Sequence, residues 1–510
     1  MENWRSEKLK TYYDFMSEIK ADELYDRLVS YGMFSEKLPP IFTGDLFLQY
    51  CKNIRKQSFS DKWRGYINYE NMRNINIPRN IGIPTPMGHE LLCKTLMKHW
   101  TKLTKYFSTT TKEQSRIISR IHIRKMQDKK ELFLMNYENR IDDGTPEPDI
   151  YLGKRYMVHA DISKCYPSIY THAIPWALVG KDVAKNNTGK KEQNKWYNQI
   201  DHFAQISKNG ETHGLLIGPH TSNVLSEIIL CAIDGDLSKK YDSYIRHIDD
   251  YKCYVNTKEE ADNFIIDLNR ELRKYDLLLN HKKTEIYELP ICVVETWIHK
   301  IQNHMATFQK FKDYIDYKEI QAFIDFIIKL VSENADNNSV VLYAIKALKD
   351  LNLTKNAQEY LVKSVVSLSL LYPYLVPILG KYIFEKYEVD NNQIQKYANM
   401  IYERYIHKNN YEACSFALLY AIDSNSKIDS IDIKIIKSSQ DCILMLMAFI
   451  YCKKNNLKSE VKQLKDYAQE LKKGEMDQYW LFVYECLRNL SGEWGTMKKN
   501  KVSFLKSEYR

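Results

Sequence analysis

Apolar residues recur at helical spacing through the second half of this 510-residue chain. In one stretch they lie three and four positions apart, at Ile320, Phe323, Ile324, Ile327, Ile328 and Val331. This spacing predicts an amphipathic helix that carries Asp325 and Lys329 on its opposite side. The same pattern returns over residues 341–348 and 444–451. It indicates an array of helices in this half of the chain.

Glycine and proline, which interrupt helices and form turns, are unevenly distributed. Of the 30 such residues, 23 lie within residues 1–235 and six within residues 301–510. The first half therefore predicts a mixed α and β domain, and the second an all-α domain. Stacked helix pairs, like an irregular α-solenoid, and a non-repetitive bundle both fit the second half. We divide the chain into an N-terminal helical segment (1–65), an α+β domain (66–300) and an all-helical domain (301–510).

Three acidic residues lie at predicted strand ends. The apolar run over residues 156–160 predicts a buried strand that delivers Asp161 at its end, and two β-rich runs place Asp249 and Asp250 at the tip of a hairpin. Three carboxylates brought together repel one another unless a cation neutralises them, and hard oxygen ligands select Mg²⁺ or Mn²⁺. Two such ions form the clamp used for in-line phosphoryl transfer.

A second pair of aspartates, Asp142 and Asp143, has no such context. It lies in a polar segment before Pro146, which predicts a turn. Asp249 and Asp250 differ from this pair because predicted strands lie on both sides of them.

Two further segments accompany the acids. Gly214, Gly218 and Pro219 form a loop that leads into an apolar helix, and a glycine there permits close approach of a backbone or a base pair. After the hairpin, a short predicted strand precedes Asn280 and Lys283, which places a cation near the acids. A surface lysine fits the sequence nearly as well.

Residues 116–124 alternate with period two. This pattern predicts a strand whose basic face holds Arg116, Ile118, Arg120, His122 and Arg124. Arginine side chains suit triphosphate or backbone oxygens, although a solvated face is an equal alternative.

Composition narrows the class of protein. The net charge of +9 permits a polyanionic partner without requiring one. The ten cysteines include no CxxC pair, which argues against a zinc ribbon, a thioredoxin-type site or a disulfide framework. The N-terminus does not look like a secretory signal, and the longest apolar run, residues 365–380, is too short for a bilayer and contains two prolines. We expect a cytoplasmic protein without a membrane partner.

The order of these motifs resembles the palm of reverse transcriptases. The motifs are Asp161 with Tyr166 five positions on, the glycine loop and helix, Asp249-Asp250, and NxxKT at residues 280–284. The segments DISKCYPSIYTH, GLLIGPHTSN and RHIDDY are most similar to bacterial abortive-infection and related defence reverse transcriptases of the "unknown group". Many of these carry a helical C-terminal extension. The resemblance covers roughly residues 70–300.

The resemblance implies a fold and a metal site. The fold would be α+β reverse-transcriptase-like fingers and palm, followed by an all-α, helical-repeat-like domain. Asp161, Asp249 and Asp250 would be catalytic and, with the backbone of Ile162, would hold two Mg²⁺ or Mn²⁺ ions.

The resemblance also implies nucleotide contacts. Tyr166 would be the steric gate that rejects a 2′-hydroxyl, although packing in the core is its alternative. Gly218 and Lys283 would contact the nucleotide, together with Arg116, Arg120 and Arg124 from the fingers.

Two departures from the family pattern bear on templating. His247 stands where most relatives have an aromatic residue before the Asp pair, and Leu216-Ile217-Gly218 replaces the usual PQG. The acids are intact, so we expect activity, but ordinary template copying is in doubt.

The family branch suggests a particular biology. It implies dNTPs as substrates, a DNA product attached to protein, a non-coding RNA partner, a homo-oligomer and a role in bacterial antiphage defence. The priming residue is unknown, and Tyr12 and Tyr13 are only convenient candidates. An ordinary RNA-templated reverse transcriptase and a catalytically silent nucleic-acid-binding scaffold are the competing hypotheses.

Overall fold

The computed structural model describes residues 10–54, 58–73, 77–126, 131–133, 143, 147–292, 294–311, 314–334, 337 and 339–510. The strands in this part of the chain are β1 (Tyr66–Met72), β2 (Pro78–Pro84), β3 (Tyr156–Asp161), β4 (Tyr244–His247), β5 (Asp250–Val255) and β6 (Glu285–Glu288). The helices before residue 290 are α1 (Tyr12–Ser17), α2 (Ala21–Ser30), α3 (Asp45–Asn53), α4 (Pro86–Lys98), α5 (Trp100–Thr111), α6 (Glu147–Tyr151), α7 (Cys165–Ser168), α8 (Ala173–Val179), α9 (Lys181–Lys185), α10 (Trp196–Ile206), α11 (His220–Leu237) and α12 (Lys258–Lys274). Those that follow are α13 (Thr296–Phe311), α14 (Tyr317–Glu333), α15 (Ser339–Ala347), α16 (Lys355–Ser369), α17 (Asn391–Ile406), α18 (Tyr411–Asp423), α19 (Ile433–Ser438), α20 (Cys442–Lys454), α21 (Lys458–Gly474), α22 (Trp480–Cys486) and α23 (Gly492–Lys499).

A four-stranded antiparallel sheet forms the centre of the first half, with the order β4-β5-β3-β6. The predicted strand before Asp161 and the predicted hairpin around Asp249 are confirmed as β3 and as β4 with β5. The strand predicted before Asn280 is wrong, because Leu279 passes beyond the end of β3 and forms only a single bridge with Ile162. The chain reaches the edge of β3 later, as β6.

A second, two-stranded sheet consists of β1 and β2 paired antiparallel. The apolar residues at alternate positions of the two strands, Ile67, Tyr69, Ile81 and Ile83, are buried. We call β1 and β2 the fingertip hairpin.

Residues 116–124 do not form the predicted strand. Only Ser119 makes a β-bridge, to Arg246. Each residue from Ile117 to Arg124 is buried, so the alternation creates no exposed basic face.

The second half is all-helical, as predicted. The apolar face predicted around Ile324 lies in α14 and is buried apart from Ile328, which is 49% exposed, and Val331, which is half-buried. Two helices differ from the amphipathic pattern, since residues 412–422 of α18 and 442–452 of α20 are buried throughout. Both are central helices: α20 packs on α18, α21 and α22, so it has no solvent face.

The end of the chain packs into its beginning. The ring of Phe504 lies 5.5 Å from that of Phe47 and 4.9 Å from that of Trp480, and the amide of Thr43 donates to the carbonyl of Phe504. The largest hydrophobic cluster therefore extends from Tyr12 to Leu505. The domain boundaries near residues 65 and 300 stay predictions.

Among the described residues, no helix combines the length and the apolar character that crossing a membrane requires.

Candidate active site

Three carboxylates meet where β3 ends and the β4–β5 hairpin turns. Asp161 is the last residue of β3 and lies directly opposite Asp250, the first residue of β5. Asp249 precedes Asp250 in the turn, and the carbonyl of Asp249 accepts the amide of Ile162 at 3.1 Å. His247, at the end of β4, lies opposite Asp250 on the other side and is buried. We call Asp161, Asp249 and Asp250 the palm carboxylates.

Proximity and burial change the acidity of this group. Burial, together with the neighbouring charges of Asp250 and Asp161, raises the pKa of Asp249 to about 6. Burial alone would also raise the pKa of Asp250, but hydrogen bonding with His159 and Asp161 lowers it instead. The Nε2 atom of His159 lies 3.7 Å from Oδ1 of Asp250. Sequence analysis overlooked His159, because a histidine within a strand gives no separate signal.

Two side chains after the hairpin bind Asp161, as the sequence predicted for a nearby cation. Lys283 Nζ lies 3.0 Å from Oδ2 of Asp161, and Asn280 Nδ2 donates to Oδ1 at 3.0 Å. The side chain of Lys283 is 60% exposed, so its ammonium group is free to move with a ligand. Lys283 is therefore placed beside the carboxylates, and its contact with a nucleotide stays a prediction.

The chemistry of the donors fits hard divalent cations, because the palm carboxylates supply only oxygen ligands. No set of three His, Cys, Asp or Glu side chains in the described part of the chain converges into a ready metal cage. Lys283 and Asn280 occupy both oxygens of Asp161. Each carboxylate oxygen has a second lone pair, so an ion could bind Asp161 beside these two contacts or in exchange for them.

A buried arginine holds the turn that carries Asp249. Arg246 is 0% exposed, and its guanidinium donates to Asp234 at 2.8 Å, to Glu227 at 3.1 Å and to the carbonyl of Ile248 at 2.9 Å. Ile248 has a positive φ of 59°, which costs a β-branched residue free energy and needs such support. We call Arg246, Glu227 and Asp234 the Arg246 cluster. Sequence analysis missed it, since both acids lie on α11 within an apolar pattern and their arginine lies on β4.

Tyr166 lies half-buried next to this site. Its hydroxyl donates to Oδ1 of Asn223 at 2.9 Å, and burial raises its pKa, with Asp249 close enough to add to the effect. The ring packs against the core, so both the steric-gate hypothesis and the packing alternative remain in place.

Gly218 approaches the fingertip hairpin. Its φ is +124°, and a Cβ there would lie 2.8 Å from Cγ2 of Ile81. The neighbouring Ile217 carbonyl accepts the amide of Gly82 at 2.9 Å. The close approach of this glycine is thus made to the side chain of Ile81 in the fingertip hairpin, and a nucleotide contact stays a prediction.

The basic residues of 116–124 are engaged in buried ion pairs. Arg124 donates to Asp143 at 2.6 Å, and Arg120 lies 3.8 Å from the same carboxylate. Both guanidinium groups are less than 10% exposed, so the predicted triphosphate contact is wrong for Arg120 and Arg124. Arg116 is half-buried, and its role stays a prediction. Asp143 lies in the predicted turn and is the structural partner of these arginines.

The fingertip hairpin supplies a different arginine. Partial burial next to Arg73 lowers the pKa of Arg79, whereas Asp249 and Tyr166 act in the opposite direction. Arg79 therefore lies within the electrostatic field of the palm carboxylates. Sequence analysis missed it, because alternating apolar residues along β1 and β2 indicate strands but do not show what an arginine between them faces.

The two candidate priming tyrosines differ in exposure. Tyr12 is 3% exposed and donates its hydroxyl to Glu227, and burial raises its pKa far above the usual value. Tyr13 is 41% exposed. A buried phenol cannot present its oxygen to a nucleotide, so Tyr12 is not a suitable primer.

Part of this chain matches a known protein family. Residues 92–311 match the family model described as reverse transcriptase (RNA-dependent DNA polymerase). Apo telomerase from Candida tropicalis is a similar solved structure, with a TM-score of 0.32, 14% identity, and coverage of 78% of this chain and 73% of that one. Telomerase from Candida albicans with a TWJ fragment of telomeric RNA has a TM-score of 0.29, 10% identity, and coverage of 84% and 69%. No curated protein matches.

Residues 92–311 are thus similar to reverse-transcriptase domains, and the α+β fold with its helical C-terminal region agrees with the predicted class. Domains of this family are nucleotidyltransferases that bind dNTPs and nucleic acid and use divalent metal ions. The matched segment contains all three palm carboxylates together with Tyr166, Gly218 and Lys283.

Proposed function

We propose that this protein is a DNA polymerase that transfers deoxynucleotides by two-metal catalysis at the palm carboxylates. The observation that carries the proposal is the direct pairing of Asp161 with Asp250 beside Asp249, with one lysine against them. Three acids held together in this way at the end of a buried sheet leave negative charge that a bound cation would neutralise.

Each residue has a defined task in this proposal. Asp161, Asp249 and Asp250, with the carbonyl of Ile162, would hold two Mg²⁺ or Mn²⁺ ions. Such ions neutralise phosphate charge and activate an attacking hydroxyl. Lys283, released from Asp161, would stand next to the departing pyrophosphate and stabilise its charge or donate a proton to it.

The nucleotide would lie between the palm carboxylates and the fingertip hairpin. Arg79 would contact the triphosphate, because guanidinium groups bind phosphate oxygens with charge-assisted hydrogen bonds. Tyr166 would lie under the sugar and select against a 2′-hydroxyl, and its hydrogen bond to Asn223 would hold the ring in one orientation.

A finer assignment follows the motif wording. Synthesis would be untemplated, protein-primed or dependent on a non-coding RNA, within an oligomer that acts in antiphage defence in the bacterial cytoplasm. The loop that replaces PQG supports this assignment, since Leu216-Ile217-Gly218 departs from the pattern of templated relatives and Ile81 packs against Gly218. An RNA-templated polymerase is the alternative that the description of the matched family favours.

The test supplies purified protein with Mg²⁺ and one dNTP at a time, with and without an annealed primer and template. We expect a product without template, and partition of that product into phenol would show attachment to protein. Asp249→Asn should reduce incorporation by a factor of about 1,000 or more, because it removes one metal-neutralising charge and keeps the volume. Asp242→Asn, at an exposed acid before the same hairpin, is the matched control.

Incorporation that persists in Asp249→Asn at the wild-type rate would refute the assignment of the active site. A product made only with primer and template would instead establish the RNA- or DNA-templated alternative.

A further inference from the structure

A buried glutamate of the helical domain binds the tip of the fingertip hairpin. Glu412 lies in the first turn of α18 and is 2% exposed. One carboxylate oxygen accepts the backbone amide of Met72 at 2.7 Å, and the other accepts the side-chain amide of Asn71 at 2.7 Å. The hydroxyl of Tyr69 lies 3.5 Å from the second oxygen. Three residues near the end of β1 therefore contact one side chain that is more than 300 residues away in sequence.

One of the anchored residues is the strand partner of Arg79. In the register of the hairpin, Asn71 lies directly opposite Arg79, and Met72 lies opposite Pro78. Paired residues on adjacent antiparallel strands are about 5 Å apart at their Cα atoms, so displacement of one strand displaces the other. The hairpin lies against the loop before α11, where the amide of Gly82 donates to the carbonyl of Ile217 at 2.9 Å, and the charge of Asp249 acts on Arg79. Displacement of β1 would therefore move this guanidinium relative to the palm carboxylates.

A carboxylate is a costly choice for mere packing at this position. Burial raises the pKa of Glu412 to about 7, although the amide of Met72 and the side chain of Asn71 counteract this effect. Its neighbours on α18, including Ala413 and Phe416, are apolar and buried. An apolar side chain would pack among them without a desolvation penalty, but it could not accept two amide hydrogens from the hairpin.

We propose that Glu412 is a positioning residue that anchors the fingertip hairpin to the helical domain and thereby holds Arg79 at the palm carboxylates. The inference rests on the proposed function, because the ligand of Arg79 is the triphosphate of the incoming nucleotide. It gives the helical domain a direct part in nucleotide binding.

Steady-state kinetics of the full-length protein test this proposal. Glu412→Ala should raise the KM for dNTP roughly tenfold or more and lower kcat much less, since misplacement by about 1 Å is enough for such losses. Glu412→Gln should retain most of the wild-type KM, because its amide oxygen still accepts the Met72 amide. Asn71→Ala, at a half-buried position, should shift KM in the same direction by a smaller factor.

Glu493→Ala is the matched control. Glu493 also joins the C-terminal helices to the first half, where it accepts the amide of Ser60 at 2.6 Å and binds Arg64, but it does not contact the fingertip hairpin. We expect its KM for dNTP to stay at the wild-type value when the variant is folded. A KM unchanged in Asn71→Ala and in folded Glu412→Ala would overturn the proposal, as would an equal increase in Glu493→Ala.

Hydrogen exchange separates this inference from the proposed function. The amides of β1 and β2 should exchange faster in Glu412→Ala than in the wild type or Glu493→Ala, whether or not the protein polymerises DNA. A wild-type protein without incorporation would refute the proposed function, whereas unchanged exchange in the hairpin would refute the anchor.

Discussion

The palm carboxylates and the Arg246 cluster are both attached to the β4–β5 hairpin, yet they differ in how their charges are balanced. In the cluster, one guanidinium binds two carboxylates that are 5% exposed or less, and each charge has an opposite neighbour. At the palm, three like charges are placed side by side, with Lys283 as a single, mostly exposed cation. Burial, and after it the charges of Asp250 and Asp161, raises the pKa of Asp249 to about 6.

The difference shows which charges maintain the fold and which await a ligand. In the Arg246 cluster the guanidinium contacts both carboxylates and a backbone carbonyl, so the cation beside these acids is part of the fold. A group of like charges destabilises the folded protein until a cation binds, and it is retained only where that binding has a function. The Arg246 cluster holds the turn, and the turn presents the palm carboxylates.

The largest expected effect concerns the Arg246 cluster. Arg246→Met should lower the free energy of unfolding by about 3–5 kcal/mol, because it leaves Glu227 and Asp234 buried without a cation. Urea denaturation measures this change. Arg155→Met, which removes an ion pair with Glu288 between two exposed side chains, should change the free energy of unfolding far less. Equal losses in the two variants would remove the distinction drawn here.

The second effect concerns the palm carboxylates and the Mg²⁺ that they would bind. Mg²⁺ at about ten times its dissociation constant should stabilise the wild type by about 1.4 kcal/mol, a rise in Tm of a few degrees. Asp249→Asn should lose most of this response, since one charged ligand is missing, and Asp242→Asn should keep it. The same rise in Asp249→Asn would place the bound ion elsewhere.

The smallest effect is a dependence of stability on pH without metal. Asp249 has a folded pKa of about 6, above its usual value, so its ionisation costs stability as the pH rises from about 4 to about 6, and the cost is constant above that. Asp249→Asn removes the cost, and its Tm in EDTA should exceed that of the wild type by about 1–3 °C at pH 7 but not at pH 4.

Asp242 provides a control of opposite sign. A hydrogen bond from Ser243 lowers the pKa of Asp242, so its ionised form stabilises the fold. The stability that Asp242→Asn loses relative to the wild type should therefore develop as the pH rises to about 4 and stay constant above that. A difference in Tm that does not change with pH in either variant would contradict the electrostatic account.

Features that depend on a few neighbouring residues can be derived from the sequence. An apolar run that ends at Asp161, two β-rich runs around Asp249, and breaker-poor helical spacing after residue 300 are local patterns, because period and turn chemistry act over a few residues. The sequence also placed Lys283 near the acids, since the chain returns along the same sheet.

The pairing of each charged residue depends on contacts that are distant in sequence. The alternation of residues 116–124 looked like a basic strand, but Asp143 and the surrounding core bury Arg120 and Arg124. Arg79 and Glu412 gave no local signal, because each acquires its place through a partner that is distant in sequence. Whether a charge is paired or left for a ligand is set by long-range burial and hydrogen bonding, and local periodicity does not encode either of these.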